Sequence, residues 1–142
     1  MTTPEVVQPN NLHFKEIQTI QIPIDDTAFF RAMSIAYYSE DNFHILMRGW
    51  VVNSMLRLGY SHSDIKVLGT HDVWITPYGT KVLEILAEIL NVRILFYEYY
   101  RASQTIKKYT YGDGSQSIKI LRKDKNHYEV LKFNIDIECA KK

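Results

Sequence analysis

Cysteine, glycine and proline are scarce in this sequence. Cys139 is the only cysteine among 142 residues, so no disulfide can form within the chain. Six glycines and four prolines are too few for a collagenous or low-complexity protein. The hydrophobic fraction of 46% and the charged fraction of 23% are ordinary for a globular protein, and the length suits one domain with its own core.

The sequence also lacks an excess of either charge and any long apolar run. Seventeen Lys and Arg face sixteen Asp and Glu, which gives a formal net charge of +1. This balance creates no long-range field that would attract nucleic acid or an anionic membrane. No segment approaches the roughly 20 apolar residues of a membrane span, and no signal peptide opens the chain. We therefore expect no nucleic-acid partner, no membrane association and a cytoplasmic or nuclear location.

Helical patterns follow a short strand in the first part of the chain. Residues 1–12 are polar and have no apolar period, so we expect a flexible tail there and a single domain over residues 13–142. Alternation predicts a strand over 14–22, and apolar spacing predicts helices after residue 27, over 42–58 and over 81–90. Residues 60–76 show no period and are expected to form a long connection with a surface turn at His71-Asp72.

Strand patterns dominate the last part of the chain. Residues 93–100 are apolar or aromatic on both faces, which predicts a central strand. Residues 105–111 and 117–121 flank Gly112-Asp113-Gly114, a pattern that predicts a β-hairpin. A last strand is predicted over 127–135. Helices come first and paired strands last, so the fold class is α+β, with helices packed on a small, mostly antiparallel sheet.

The start of the last strand carries a candidate acid–base pair. Side chains alternate along a strand, so His127 and Glu129 are expected on the same face. A carboxylate beside an imidazole can fix its tautomer and stabilise the imidazolium, as a histidine general base requires. The alternative is that His127 merely begins an edge strand and Glu129 is solvated.

The turn before the first helix is a second candidate site. Asp25, Asp26 and Thr27 precede Ala28, which begins an apolar helix. This place lies at the positive end of the helix dipole, near unpaired amides, and it favours a thiolate and an oxyanion. Because Ala28 has no thiol, the alternative is an ordinary core helix that Asp25 or Asp26 caps.

Together the two segments resemble the ovarian tumour (OTU) family of cysteine deubiquitinases. That family has an Asp-Gly-Asn-Cys turn before a helix that begins hydrophobic-aromatic-Arg-Ala/Ser, and a C-terminal strand that begins His-aromatic-Asp/Asn. The matching segments here are Asp25-Asp26-Thr27-Ala28-Phe29-Phe30-Arg31-Ala32 and His127-Tyr128-Glu129. Three further segments between them resemble the family's aromatic-Gly pair, helix and central strand: Tyr78-Gly79-Thr80, Leu83-Glu84-Ile85-Leu86-Ala87 and Ile94-Leu95-Phe96-Tyr97. The similarity spans residues 22–133.

The resemblance implies a papain-like OTU domain and a set of site residues. Ala28 occupies the nucleophile position, and its amide would line the oxyanion hole with those of the turn Asp25, Asp26 and Thr27. His127 would be the general base, and Glu129 would take the place of the acid that orients it.

The resemblance also implies a partner, which is ubiquitin or a ubiquitin-like protein. Its C-terminal tail would lie in a cleft between the helix that begins at Ala28 and the strand that begins at His127. The connection over 60–76 is expected to form one side of that cleft. We expect the chain to be a monomer.

Departures from the family pattern decide what this chain can do. Asp26 replaces Gly and Thr27 replaces Asn, which changes the turn, and Glu129 is one methylene longer than Asp. Ala28 is decisive, because a methyl group cannot attack a carbonyl. The chain as written is therefore expected to be inactive as a protease.

Three interpretations remain open for an inactive chain. Ala28 replaces the cysteine of a thiol protease that removes ubiquitin, which we favour because His127 and Glu129 are chemically serviceable. A natural pseudo-deubiquitinase that binds ubiquitin without cleaving it is the first alternative, and a structural interaction domain is the second.

Other chemistry has little support in the sequence. No cluster of His, Cys and carboxylates has the spacing of a zinc site, and no glycine-rich phosphate loop precedes a helix. We therefore expect no metal and no cofactor. The run of basic residues over 119–125 is expected to be solvated.

Overall fold

A computed structural model describes residues 5–7, 19–69, 71–124 and 127–131 of the chain. Its elements follow in the order β1 (Glu5–Val7), β2 (Thr19–Gln21), α1 (Ala28–Tyr38), α2 (His44–Arg57), α3 (His62–Ile65), α4 (Gly79–Leu90), β3 (Val92–Tyr100), β4 (Thr105–Tyr111), β5 (Gln116–Asp124) and β6 (His127–Leu131). Two short 3-10 helices, Lys66–Gly69 and Val73–Ile75, lie between α3 and α4. No helix in the described ranges is long and apolar enough to cross a bilayer.

The strands form one sheet in the order β1-β4-β3-β5-β6-β2. Neighbouring strands are antiparallel except β3 and β5, which run parallel. The α+β class, with helices on a mostly antiparallel sheet, is confirmed. Strand β3 lies inside the sheet as predicted, and its side chains are buried on both faces, as Phe96 and Tyr97 illustrate.

Helices α1 and α4 supply the main core on one face of the sheet. Phe29, Phe30 and Met33 of α1 are fully buried, and the two phenyl rings meet edge to face at 5.2 Å. The amphipathic helix α4 buries a stripe of apolar residues against β3: Val82, Leu83, Leu86 and Leu90. A smaller cluster consists of Leu95, Tyr97, Ile106, Leu121 and Leu131.

Strand β6 contributes side chains to both clusters. Tyr128 and Val130 pack in the core formed with the helices, whereas Leu131 packs in the smaller cluster. Because side chains alternate along a strand, His127 and Glu129 share the face of Leu131. The two candidate residues therefore lie on the sheet face that is turned away from the buried side of α1.

The predicted hairpin between β4 and β5 is wrong. Both strands pair with β3, which lies between them, so the chain crosses the start of β3 instead. A Cβ at Gly112, whose φ is 82°, would lie 2.4 Å from the carbonyl oxygen of Val92. A Cβ at Gly114 would lie 2.3 Å from the carbonyl oxygen of Asn91. The two glycines thus permit a close backbone crossing rather than a two-strand turn.

The connection over 60–76 is more regular than expected. Helix α3 begins with a capping box, in which the Ser61 hydroxyl accepts from the Asp64 amide at 3.1 Å. Asp72 caps the second 3-10 helix by accepting from the Trp74 amide at 3.0 Å. The predicted surface turn at His71-Asp72 is wrong for Asp72, which is fully buried because it bonds to Tyr128 in the core.

The predicted tail and the two predicted strands over 14–22 and 127–135 lie partly outside the described residues. Within the predicted tail, Glu5–Val7 pair with β4 as an edge strand, so these three residues belong to the sheet. Their two valines are β-branched and favour a strand. Residues 14–18 and 132–135, which were predicted to extend β2 and β6, lie outside the described residues.

We predict opposite effects of alanine at two glycines. Gly114→Ala should lower the free energy of unfolding by about 2 kcal/mol or more, because the new methyl group meets the fixed carbonyl of Asn91. Gly49→Ala should raise it by roughly 0.5–1 kcal/mol, because a Cβ in the middle of α2 meets nothing within 4 Å. Urea unfolding of both variants measures the difference. Equal effects of the two substitutions would contradict the close approach of the Gly114 backbone to the start of β3.

Candidate functional site

Strands β2 and β6 bring the two candidate segments to the same end of the sheet. Gln21, the last residue of β2, pairs with Glu129 near the start of β6. The chain then turns and enters α1 at Ala28. Because the strands are antiparallel, the end of β2 and the start of β6 lie side by side.

A ring contact joins α1 to β6 directly. Phe29 and Tyr128 meet edge to face, with ring centroids 5.7 Å apart. These residues follow Ala28 and His127 in the sequence, so the two candidate positions are carried by neighbouring backbone segments. His127 and Tyr128 point to opposite faces of β6, so the contact of the Tyr128 ring with α1 does not imply that the His127 imidazole contacts position 28. That contact stays a prediction.

His127 and Glu129 are in contact. Nε2 of His127 lies 3.3 Å from Oε2 of Glu129, and the two side chains are 29% and 2% exposed. The carboxylate therefore lies beside Nε2, where it can orient the ring. This is the arrangement that a histidine base and an orienting acid require.

Glu129 has further partners on the neighbouring strands, which no sequence pattern predicted. The Thr19 hydroxyl donates to Oε1 at 2.7 Å, and Lys123 Nζ lies 2.9 Å from Oε2. Burial acts to raise the pKa of Glu129, but the hydrogen bond from Thr19 and the charge of Lys123 outweigh burial and hold this pKa below its ordinary value. The Glu129 carboxylate is thus ionised, and residues of β2 and β5, the strands on either side of β6, hold it in place.

The turn before α1 is closed by its own hydrogen bonds. Oδ1 of Asp25 accepts from the Thr27 amide at 2.8 Å and from the Thr27 hydroxyl at 2.5 Å. The hydroxyl bond holds the pKa of Asp25 below its ordinary value. The Ala28 amide donates to the backbone carbonyl of Asp25 at 3.2 Å. Two amides assigned to the oxyanion hole are therefore engaged inside the turn, and the oxyanion role stays a prediction.

Position 28 is enclosed by protein. Ala28 is 0% exposed, so its methyl group is part of the core. The neighbouring Thr27 hydroxyl also accepts from Nε of Arg31 at 2.6 Å, and Nη1 of Arg31 pairs with Asp41 at 2.7 Å. The arginine of the helix motif thus fastens the turn to α1, and the Thr27 hydroxyl is held at both its donor and its acceptor side.

Arg48 of α2 connects the turn to a distant part of the chain. Its Nη2 donates to the carbonyl oxygen of Asp26 at 2.5 Å, and its Nη1 donates to that of Leu68 at 2.8 Å. No local sequence pattern identifies Arg48, because its partners are backbone carbonyls in segments that no such pattern relates to α2.

A buried hydrogen bond supports β6 from the helix side. The Tyr128 hydroxyl donates to Oδ2 of Asp72 at 2.8 Å, and both residues are fully buried. Burial raises the pKa of Asp72 above its ordinary value, although the bond from Tyr128 opposes this. Burial also raises the pKa of Tyr128, which therefore stays a donor. The tyrosine of the His-Tyr-Glu motif thus ties the strand to the connection over 60–76.

Two residues of the basic run over 119–125 are paired with buried acids rather than solvated. Nη1 of Arg122 lies 2.6 Å from Oε2 of Glu98, which is 8% exposed. Lys123 pairs with Glu129 as described above. Neighbouring strands bring these partners together, so the charges of the run neutralise acids of β3 and β6.

The aromatic-Gly motif has a packing role. The Trp74 ring stacks on Phe96 at 5.0 Å and an interplanar angle of 11°. A Cβ at Gly79 would lie 2.6 Å from the Trp74 ring, so glycine allows the ring to pack against the start of α4.

Among the described residues, no group of three His, Cys, Asp or Glu side chains is placed to hold a metal ion. Cys139 lies outside the described residues.

We predict that Glu129→Gln destabilises the protein in a pH-dependent way. An acid whose pKa is lowered on folding stabilises the fold above its unfolded pKa, and this stabilisation is lost as the pH falls through the folded pKa. The variant should therefore lose about 1–3 kcal/mol near pH 7 and much less near about pH 3.5. Urea unfolding at both pH values measures this. Glu88→Gln, on the exposed side of α4, is the control, and a pH-independent loss in Glu129→Gln would refute the prediction.

Solved structures with the same architecture are OTU domains. The OTU domain of OTUD1 matches with a TM-score of 0.65 and 18% identity, over 86% of this chain and 89% of that chain. The Qalyub virus OTU domain protease matches with a TM-score of 0.64 and 17% identity, over 92% and 90%. The Hazara virus OTU, solved bound to ubiquitin, matches with a TM-score of 0.66 and 12% identity, over 92% and 87%.

Sequence comparison adds nothing to these structural matches. No protein family model and no curated protein matches the chain. At 12–18% identity the structural matches show the fold and not the activity. The chain therefore has the fold of OTU domains, a papain-like α+β arrangement.

Proposed function

We propose that this chain is an OTU-type thiol protease domain for ubiquitin or a ubiquitin-like modifier, in a form that cannot turn over because Ala28 occupies the nucleophile position. One observation carries the proposal. His127 Nε2 lies 3.3 Å from Glu129 Oε2 at the start of β6, beside the strand that leads into position 28. An imidazole oriented by a buried carboxylate is the costly part of such a site, since burying an acid requires partners.

The chemistry follows from the roles of these residues. With a cysteine at position 28, His127 would take the thiol proton, and the thiolate would attack the carbonyl carbon of the last glycine of ubiquitin. The imidazolium would return the proton to the departing amine as the carbon–nitrogen bond breaks. Water would then cleave the thioester and restore the thiol. With Ala28 the bond between the nucleophile and the carbonyl carbon cannot form, so the present chain would bind ubiquitin without cleaving it.

The choice of partner rests on the fold and on the position of the connection. The Hazara virus OTU, with the same fold, has been solved with ubiquitin bound. In this chain the Arg48 guanidinium ties the connection over 60–76 to the turn before α1. A tail that reaches position 28 would therefore pass this connection, which we propose as one side of the cleft.

Non-catalytic ubiquitin binding is a second candidate function. Two observations favour it: Ala28 is 0% exposed, and the amides of Thr27 and Ala28 are engaged within the turn. A domain with these features could hold ubiquitin without ever having cleaved it.

We predict that Ala28→Cys confers cleavage of a fluorogenic ubiquitin C-terminal amide. Adding His127→Ala should lower the rate by about 100-fold or more, because the general base is lost. Ala36→Cys, the same substitution farther along α1, is the control and should give no cleavage. A folded Ala28→Cys variant that binds ubiquitin without cleaving it would refute the protease and favour the binding module.

We also predict that the chain with Ala28 in place binds ubiquitin. Titration of isotope-labelled ubiquitin should shift the resonances of its C-terminal tail more than those elsewhere, because the tail enters the cleft. Ubiquitin without its last two glycines should bind more weakly. If neither form binds and Ala28→Cys gives no cleavage, both ubiquitin functions are wrong and the structural interaction domain is favoured.

A further inference from the structure

Arg48 contacts three separate segments near the candidate site. Nη2 donates to the Asp26 carbonyl at 2.5 Å, and Nη1 donates to the Leu68 carbonyl at 2.8 Å and reaches the His71 carbonyl at 3.5 Å. The guanidinium also lies over the Phe30 ring, 4.9 Å from its centroid. One side chain thus joins the turn, helix α1 and the connection.

Arg48 is partly buried and lies near three acids. Burial lowers the pKa of the Arg48 guanidinium, and the charges of Asp72, Asp26 and Asp25 oppose this effect. The ring of Phe30 adds a cation–π contact, which strengthens as water is excluded. A planar guanidinium directs several donors along fixed lines and can serve carbonyls on opposite sides, which the single ammonium of a lysine cannot do as well.

The bond to Asp26 fixes one particular peptide group. The Asp26 carbonyl and the Thr27 amide belong to the same planar unit, so they rotate together. Arg48 holds its oxygen, and Oδ1 of Asp25 holds its N–H at 2.8 Å. This peptide cannot turn its amide toward a substrate, or away from one, without changing its contact with Arg48.

We propose that Arg48 is a positioning residue, which sets the orientation of the peptide between Asp26 and Thr27 and couples it to the connection over 60–76. The catalytic meaning of this coupling rests on the proposed function, whereas the coupling itself does not. A partner that displaces the connection would move the Leu68 carbonyl and, through Arg48, the turn before position 28. Arg48 itself would not touch the substrate.

Hydrogen exchange of the chain as it stands tests the coupling. In Arg48→Gln, the amides of residues 27–28 and 71–74 should exchange about tenfold faster or more, while those of β3 keep their protection. Arg57→Gln, the same substitution in the last turn of α2, should leave both segments unchanged. Unchanged exchange in Arg48→Gln, or an increase spread evenly over the sheet, would overturn the proposal.

Kinetics in the Ala28→Cys background test the positioning. Arg48→Gln should lower kcat by about 10- to 100-fold, a larger factor than any change in KM, because the turn before position 28 loses its fixed orientation. Arg48→Lys should recover part of kcat, since one carbonyl contact can persist. A change in KM alone would overturn the positioning role. If Ala28→Cys is inactive with Arg48 present, the protease proposal fails and the exchange experiment still decides the coupling.

Discussion

The antiparallel pairing of β2 with β6 is the constraint on which the candidate site depends. Gln21 and Glu129 are neighbours in this pair, so the chain must leave β2 beside the start of β6. From there a short turn leads into α1, whose apolar face is fixed by burial of Phe29 and Phe30. Position 28 and His127 are far apart in sequence, and this pairing brings their backbone segments together with the help of the Phe29–Tyr128 ring contact. A shift of register by one residue would turn Glu129 to the other face and separate it from Thr19.

Buried polar groups around the site show how that pairing is reinforced. Glu129 is nearly inaccessible and would be costly to ionise alone, yet Thr19 and Lys123 keep it charged. Asp72 is buried on the helix side, where it accepts from Tyr128. Each acid is thus matched by a donor from another element, and removing one donor would leave the buried carboxylate with fewer partners. The start of β6 is therefore held from both faces of the sheet.

Local periodicity predicted the elements that have a buried face, but it did not predict contacts between segments that are remote in sequence. Helices α1, α2 and α4 and the shared face of His127 and Glu129 follow from spacing, because one buried face imposes its period on the residues. The central strand follows from its apolar and aromatic residues on both faces. The hairpin at Gly112-Asp113-Gly114 was wrong because glycine pairs mark close backbone crossings as well as tight turns. Asp72 was misplaced for a similar reason: its partner, Tyr128, is remote in sequence. Arg48 and Lys123 gave no local signal, since each is defined only by the segments that the fold brings to it.

The hydrogen bonds and the ion pair of the candidate site do not involve the side chain at position 28. Asp25, Thr27 and Arg31 close the turn through their own hydrogen bonds, and none of these bonds involves the methyl group of Ala28. His127 and Glu129 likewise meet without it. The groups that would bind and orient a substrate are therefore physically separable from the group that would attack it. This separability is why one fold can serve a protease with its nucleophile replaced and a natural binding module equally well, and why restoring a thiol discriminates between them.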